Sequence, residues 1–178
     1  MIAPLTFEIQ KTIKEISLNN KKRFEQISKE VCEFEIKNLL GIQMFQAISN
    51  DDDDDLFKGC EFKINGNTIY HNGLNYVHAF LNYAAYIGEA NVFDTFSGLV
   101  QKNNEDSTQI TAGQIKNLQT RNREIAFKSF EFTKMYILAN KEKYPYFCKN
   151  KEEKRYSNRF SGITKTIEYD RFHKRNRF

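Results

Sequence analysis

The sequence predicts a mainly α-helical bundle with an inserted β-hairpin and an extended C-terminal arm. Three observations lead to this fold class. Several segments repeat apolar residues with the helical period, an Asn-Gly pair separates two short alternating runs, and the C-terminal segment is basic. The chain has 178 residues, which suits one domain followed by a tail. A domain of this length can bury enough apolar surface to fold without disulfide bonds.

The N-terminal part predicts a short extended start, a short helix and then a longer helix. From Asn20 onward, apolar side chains recur every three or four residues, which indicates one buried helix face: Phe24, Ile27, Val31 and Phe34. Asn19 or Asn20 can cap the start of this helix, and Gly41 can end it. Residues 42–49 add another apolar turn or two.

Residues 60–73 predict a two-stranded hairpin. Phe62 and Ile64 alternate with polar residues before Asn65-Gly66, and Ile69 does so after it. An Asn-Gly pair between alternating apolar residues is the strongest short-range hairpin signal. An isolated hairpin is marginally stable, so this one must lie on another element.

The segment from Leu74 to Gly88 predicts a helix with two apolar stripes, which should be buried between neighbouring helices or against another subunit. One of its stripes carries His78. At such a position we expect a hydrogen-bonded core histidine rather than a ligand.

Residues 91–110 are polar and predict an irregular connection, which is long for a compact domain. Thr111 and Gln114 then form a possible capping box at the start of the longest helix, which we expect Pro145 to end. One apolar face should be buried, and its last four members are spaced seven residues apart: Ile115, Leu118, Ile125, Phe132 and Ala139. Further apolar residues extend this surface: Phe127, Phe130, Ile137 and Leu138.

Composition and motifs exclude several classes of protein. No stretch has the roughly 20 apolar residues that a membrane-spanning helix requires, and residues 1–6 do not resemble the start of a signal peptide. Cys32, Cys60 and Cys148 have no CxxC spacing, so we expect reduced thiols in an intracellular protein. The sequence has no Walker A, GxSxG, HExxH or GxGxxG motif. We therefore expect neither enzymatic activity nor a cofactor, although a Cys-His pair formed by residues distant in sequence stays open.

Five consecutive carboxylates, Asp51, Asp52, Asp53, Asp54 and Asp55, predict a solvated acidic loop, because like charges repel one another. They do not form an EF-hand, since Leu56 and Phe62 occupy its required Gly and Glu positions. No metal site is expected. The functional alternative is an acidic patch that faces a basic neighbour or lines a DNA channel, where it would repel phosphates.

The net charge of +4 divides unevenly along the chain. Residues 1–150 form a nearly neutral body with a net charge of −1, and residues 151–178 form a basic aromatic arm with a net charge of +5. The arm could bind single-stranded nucleic acid or dock on a protein. We favour docking, with these side chains as anchors: Tyr169, Arg171, Phe172, Lys174, Arg175, Arg177 and Phe178.

The order of motifs in residues 20–147 resembles that of the head–tail connector (adaptor) proteins of tailed phages infecting Bacteroidetes, including the crAss-like group. The matching stretches include ISKEVCEFEIKNLLGIQMFQAIS (27–49), LFKGCEFKINGNTIYHNGLNYVHAFLNYAAYI (56–87), FDTFSGLVQKNNEDS (93–107) and the helix 114–140 followed by KYPYF. The sequence departs from the family pattern at Ser97, which is an extra residue within the Thr-Phe-Gly segment. The arm has no counterpart in the family.

The resemblance implies a non-enzymatic virion protein at the head–tail junction, assembled in the host cytoplasm. It would form a homo-oligomeric ring with twelve-fold symmetry below the portal. Its partners would be the portal protein, other connector or tail proteins, and genomic DNA passing without sequence specificity, with no membrane. The hairpin and residues 91–110 would bridge ring members. The alternative from the residues alone is a small nucleic-acid-binding module that uses the arm.

Overall fold

The computed structural model describes residues 1–16, 21–49, 53–89 and 111–147, together with the backbone of residues 92–95 and 98–101. The described part is mainly α-helical with a small antiparallel hairpin, which confirms the predicted class. The arm, the two candidate cap residues Asn19 and Asn20, and Asp51 and Asp52 lie outside the described residues. The division into body and arm therefore stays a prediction.

Helix α6, which spans Gly73–Glu89, lies at the centre of the fold. It contacts four other α-helices: α1 (Phe7–Ile13), α2 (Lys21–Val31), α5 (Asp54–Lys58) and α7 (Ala112–Ala139). Both of its predicted apolar stripes are thus covered largely within one chain. Its buried side chains include Leu74, Val77, Phe80 and Leu81.

The second helix changes its register where five residues, Cys32–Ile36, form a π-helical turn. Phe24, Ile27 and Val31 are buried, as the helical spacing predicts. Phe34 was expected on the same face, but its side chain is 69% exposed. The wider π turn rotates the following residues, so Ile36 takes the buried position instead.

The π turn continues into α3 (Lys37–Leu40), which ends at Gly41 as predicted, with φ 85°. Helix α4 (Ile42–Ala47) follows and buries Met44 and Phe45, so the expected further apolar turn is confirmed.

The hairpin consists of β1 (Cys60–Ile64) and β2 (Asn67–His71), paired antiparallel with Phe62 opposite Ile69. Asn65 and Gly66 both have positive φ, as a tight two-residue hairpin turn requires. Phe62 and His71 pack against Tyr136 of α7. The hairpin therefore lies on the last helix, as its marginal intrinsic stability requires.

Two glycines close the base of the hairpin. Gly59 ends α5 with φ +89°, and Gly73 begins α6 with φ +78°. A Cβ on Gly59 would lie 2.2 Å from the His71 carbonyl oxygen, and one on Gly73 would lie 2.4 Å from the Phe57 carbonyl oxygen. Only glycine allows the two backbones to approach so closely.

Residues 91–110 are not irregular throughout, which corrects the expectation. Strands β3 (Val92–Thr95) and β4 (Gly98–Gln101) pair antiparallel and form a second small hairpin. Short strands of four residues carry too few alternating positions for the sequence pattern to show them.

Helix α7 begins with the predicted capping box. The Thr111 hydroxyl accepts from the Gln114 amide, and the Gln114 side chain accepts from the Thr111 amide. The helix ends at Ala139 rather than at Pro145, because Asn140 leaves helical geometry and a turn follows.

The buried face of α7 agrees only in part with the predicted one: Phe130 and Ile137 are buried, but the face is not centred on the line of residues spaced seven apart. Its centre carries small and polar residues, with Asn122, Ala126, Ser129 and Thr133 all buried. Leu118 and Phe132 are 38% and 45% exposed. Phe130 and Ile137 are buried on the same side of α7, so its inner face combines small and polar side chains with large apolar ones, and Leu118 and Phe132 of the predicted line are displaced toward solvent.

Replacing Gly59 with Ala should strongly destabilise the body, because the new Cβ meets a backbone carbonyl that cannot move independently. The strained φ alone costs about 1–3 kcal/mol. Urea unfolding followed by circular dichroism measures the loss. In contrast, Gly113→Ala places its Cβ no closer than 4.0 Å to another residue, within a helix, and should leave stability equal or slightly higher. Equal effects of the two substitutions would contradict the role of the glycine contact.

Candidate functional site

The acidic run divides into a buried and an exposed part. Asp54 and Asp55 are exposed, as predicted, but they lie in the first turn of helix α5 and not in a loop, because Asp53 caps a helix that starts at Asp54. Asp53 precedes them and is only 6% exposed, so the expectation of a solvated side chain is wrong for this residue. Asp53 caps α5, and a side chain that caps a helix is drawn toward the backbone rather than into water.

The Asp53 carboxylate connects three parts of the chain. Its Oδ1 atom accepts from the Leu56 backbone amide at 3.3 Å and from Lys143 Nζ at 2.8 Å. Its Oδ2 atom accepts from the Tyr144 hydroxyl at 2.6 Å. The carboxylate therefore joins the start of α5 to the turn that follows α7.

The network extends from Tyr144 to the hairpin. The Tyr144 ring lies beside the Tyr136 ring, with centroids 5.9 Å apart. The His71 ring stacks on the Tyr136 ring, with centroids 4.3 Å apart. We call Asp53, Tyr136, Tyr144, Cys60 and His71 the Asp53 cluster.

Cys60 and His71 form the pair that the sequence left open. They face each other across the hairpin, with 3.5 Å between the Cys60 Sγ and His71 Nε2 atoms. Burial raises the pKa of Cys60 and lowers the pKa of His71. Both groups are therefore neutral near pH 7, whereas a catalytic cysteine needs a thiolate stabilised by a nearby positive charge. The arrangement favours packing over nucleophilic chemistry.

The Cys32 thiol, like that of Cys60, is part of the packed interior. Burial raises the pKa of Cys32 to about 11, so this thiol stays protonated. Within the described ranges, no group of three or more His, Cys, Asp or Glu side chains could hold a metal ion. Nor does any helix there combine the length and hydrophobicity needed to cross a membrane.

His78 is a core histidine, as predicted. Its side chain is 4% exposed, and its Nε2 atom lies 3.1 Å from the Ser28 carbonyl oxygen, to which it donates. Burial lowers the pKa of His78 to about 4. The neutral imidazole therefore links α6 to α2.

The outer surface of the body carries exposed apolar side chains, three of which, Phe34, Leu118 and Phe132, the sequence pattern placed on buried faces. Phe132 and Met135 are three residues apart and therefore adjacent on α7, and we interpret this exposed apolar pair as a candidate interaction surface. On α7 the exposed apolar side chains are Leu118, Phe127, Phe132 and Met135, and on the π turn Phe34. The signal that the sequence pattern missed is the run of small residues, Ala126, Ser129 and Thr133, which is buried on the same side of α7 as Phe130 and Ile137.

Residues 36–157 match a family of unknown function, DUF6712. The chain belongs to this family. The match begins at the last residue of the π turn and includes α6, α7 and the Asp53 cluster. No curated protein and no solved structure matches the chain.

Asp53→Ala should reduce the free energy of unfolding by about 2–4 kcal/mol. The loss of a helix cap costs about 1 kcal/mol, and a buried hydroxyl without its acceptor costs about 1–3 kcal/mol. Urea unfolding would measure this loss and compare it with the loss in the control variant Asp54→Ala. That side chain forms an exposed pair with Lys58, worth about 0.5 kcal/mol or less. Similar losses for the two variants would show that Asp53 has no special role.

The free energy of unfolding should fall as the pH decreases from about 6.5 to about 4. In this range His78 is protonated in the unfolded chain but stays neutral in the folded protein. The slope that this one group adds is at most about 1.4 kcal/mol per pH unit. Chemical unfolding at several pH values would show a shallower dependence for His78→Gln than for the unchanged protein. Parallel curves would contradict the assignment of a neutral buried imidazole.

Proposed function

We propose that this protein is a structural component of a tailed-phage virion that forms a ring at the head–tail junction. In this role it joins the portal to the tail, surrounds the DNA channel and catalyses no reaction. The proposal rests on the order of motifs that resembles the connector proteins and on the exposed apolar surface of α7.

The observation that carries the proposal is the exposure of large apolar side chains along α7. The core of the body forms without these side chains, because α1, α2, α5 and α7 already cover α6. Phe132 and Met135 are nevertheless 45% and 43% exposed. A subunit that buries these groups against a neighbour gains stability, whereas an isolated monomer does not.

The neutral state of the Cys60–His71 pair supports a structural role over an enzymatic one. The motifs behind the resemblance also have a structural explanation: Leu56 is fully buried, and Gly59 and Gly73 close the base of the hairpin. They are requirements of the fold rather than of a reaction.

The proposed partners follow from the charges and from the resemblance. Twelve copies would form the ring, with the portal and other connector or tail proteins above and below it and DNA passing without sequence specificity. The arm anchors, from Tyr169 to Phe178, would dock on a neighbour or on the portal. Asp54 and Asp55 are exposed and offer negative charge to such a basic segment.

Removing residues 151–178 should abolish attachment to the portal or formation of the ring while the body stays folded. Light scattering and native mass spectrometry of the full and shortened chains, each alone and with the portal protein of the same genome, measure this. The circular dichroism melt of the body serves as the control for folding.

Two results would contradict the proposal. A full chain that is monomeric at all concentrations and does not bind the portal excludes a ring-forming connector. Tight binding of the full chain to single-stranded DNA or RNA, strongly weakened by salt and lost with the arm, would instead favour a nucleic-acid-binding module.

A further inference from the structure

The β1–β2 hairpin has an open edge along β2. Ile64 and Asn67 flank the two-residue turn, so their backbones exchange both hydrogen bonds, and bonded pairs then alternate along the hairpin. By this alternation the backbone amides and carbonyls of Thr68 and Tyr70 point away from β1. In the described part of the chain each sheet has two strands, and no backbone hydrogen bond from another described element reaches either residue. The β2 backbone can therefore pair with a further strand.

The two edges of the hairpin differ in their protection against a further strand. The outward-facing positions of β1 are Glu61 and Lys63, and charged side chains, lysine above all, discourage pairing at a sheet edge. Those of β2 are Thr68 and Tyr70, which are uncharged and of residue types common in strands. The Tyr70 side chain is 55% exposed. The unprotected edge is therefore the one along β2.

The arm contains one segment with the sequence pattern of a strand. Residues 163–169, ITKTIEY, lie outside the described residues, and five of these seven residues are β-branched or aromatic. Ile163, Ile167 and Tyr169 alternate with polar residues and share their face with Lys165. A single strand leaves its backbone donors and acceptors unpaired, so it is stable only when it adds to the edge of a sheet.

The chain leaves the described body beside the hairpin. Tyr136 stacks on His71 at the end of β2, with ring centroids 4.3 Å apart, and the Tyr144 ring centroid is 5.9 Å from that of Tyr136. Phe147 follows one turn later and is the last described residue. Residues 148–162 then span up to about 50 Å when extended. Because β2 is only about 17 Å long, its whole edge is within reach of the strand-like segment.

We propose that residues 163–169 add to the hairpin of their own chain as a third strand along β2. The inference goes beyond the proposed function and does not depend on it, because the strand can add in a monomer as well as in a ring. The short connection keeps the segment at a high effective concentration near its own hairpin, which favours this site over a second copy. Residues 170–178 then extend beyond the hairpin and stay available to a partner.

Hydrogen exchange resolved to single backbone amides tests the proposal in the full chain. The Thr68 and Tyr70 amides donate to the added strand, so they should exchange at least about tenfold more slowly in the unchanged protein than in a variant whose segment cannot pair. The Ile69 amide is bonded to β1 and serves as the internal reference, because its exchange should be equal in both proteins.

A double proline substitution removes the pairing. The variant carries Lys165→Pro and Thr166→Pro, and because neighbouring amides of a strand point to opposite sides, one of the two prolines removes a ladder donor in any register. The matched control carries Ser157→Pro and Asn158→Pro in the connection and should keep the protection of Thr68 and Tyr70. Circular dichroism melts confirm that both variants are folded.

Three results would overturn the inference. The β2 edge is open if the Thr68 and Tyr70 amides of the unchanged protein exchange as fast as those of the Lys165→Pro, Thr166→Pro variant. A slow exchange that persists in this variant would mean that another segment covers the edge. Protection that is lost when the unchanged protein is diluted would place the segment on a second copy rather than on its own chain.

Discussion

The Asp53 carboxylate is the interaction on which the rest of the structure depends. It caps α5, pairs with Lys143 and accepts from Tyr144, so it fixes the hairpin side of the body to the turn after α7. The stack of Tyr136 on His71 extends this connection to the hairpin. A carboxylate with one free oxygen would be expensive to bury, whereas one with three donors is compensated. The cluster therefore holds the C-terminal end of α7 to the hairpin side of the body.

Features set by neighbouring residues could be predicted from the sequence. The Asn65-Gly66 turn, the Thr111–Gln114 capping box and the end of a helix at Gly41 depend on local backbone preferences, and the structure confirms all three. The burial of Asp53 could not be predicted, because its partners lie 90 residues away in the sequence. Its role in the cluster depends on tertiary contacts, which no local pattern records.

Local sequence patterns also failed to predict which apolar side chains lie on the outer surface. The helical period placed Phe34 and Phe132 in the core, but one π turn and one stripe of small residues reverse their positions. In each case an exposed aromatic residue stands where the pattern predicts a buried one. These local exceptions are consistent with a chain that reserves apolar groups for contact with another subunit, since sequences depart from simple patterning where function requires it.

The central claim is that Asp53 holds the end of α7 to the hairpin side of the body. A double-mutant cycle with Asp53→Ala and Tyr144→Phe tests it most directly, because each substitution removes one partner of the shared hydrogen bond. We expect urea unfolding to give a coupling free energy above about 1 kcal/mol. Additive effects of the two substitutions, with a coupling near zero, would contradict the claim.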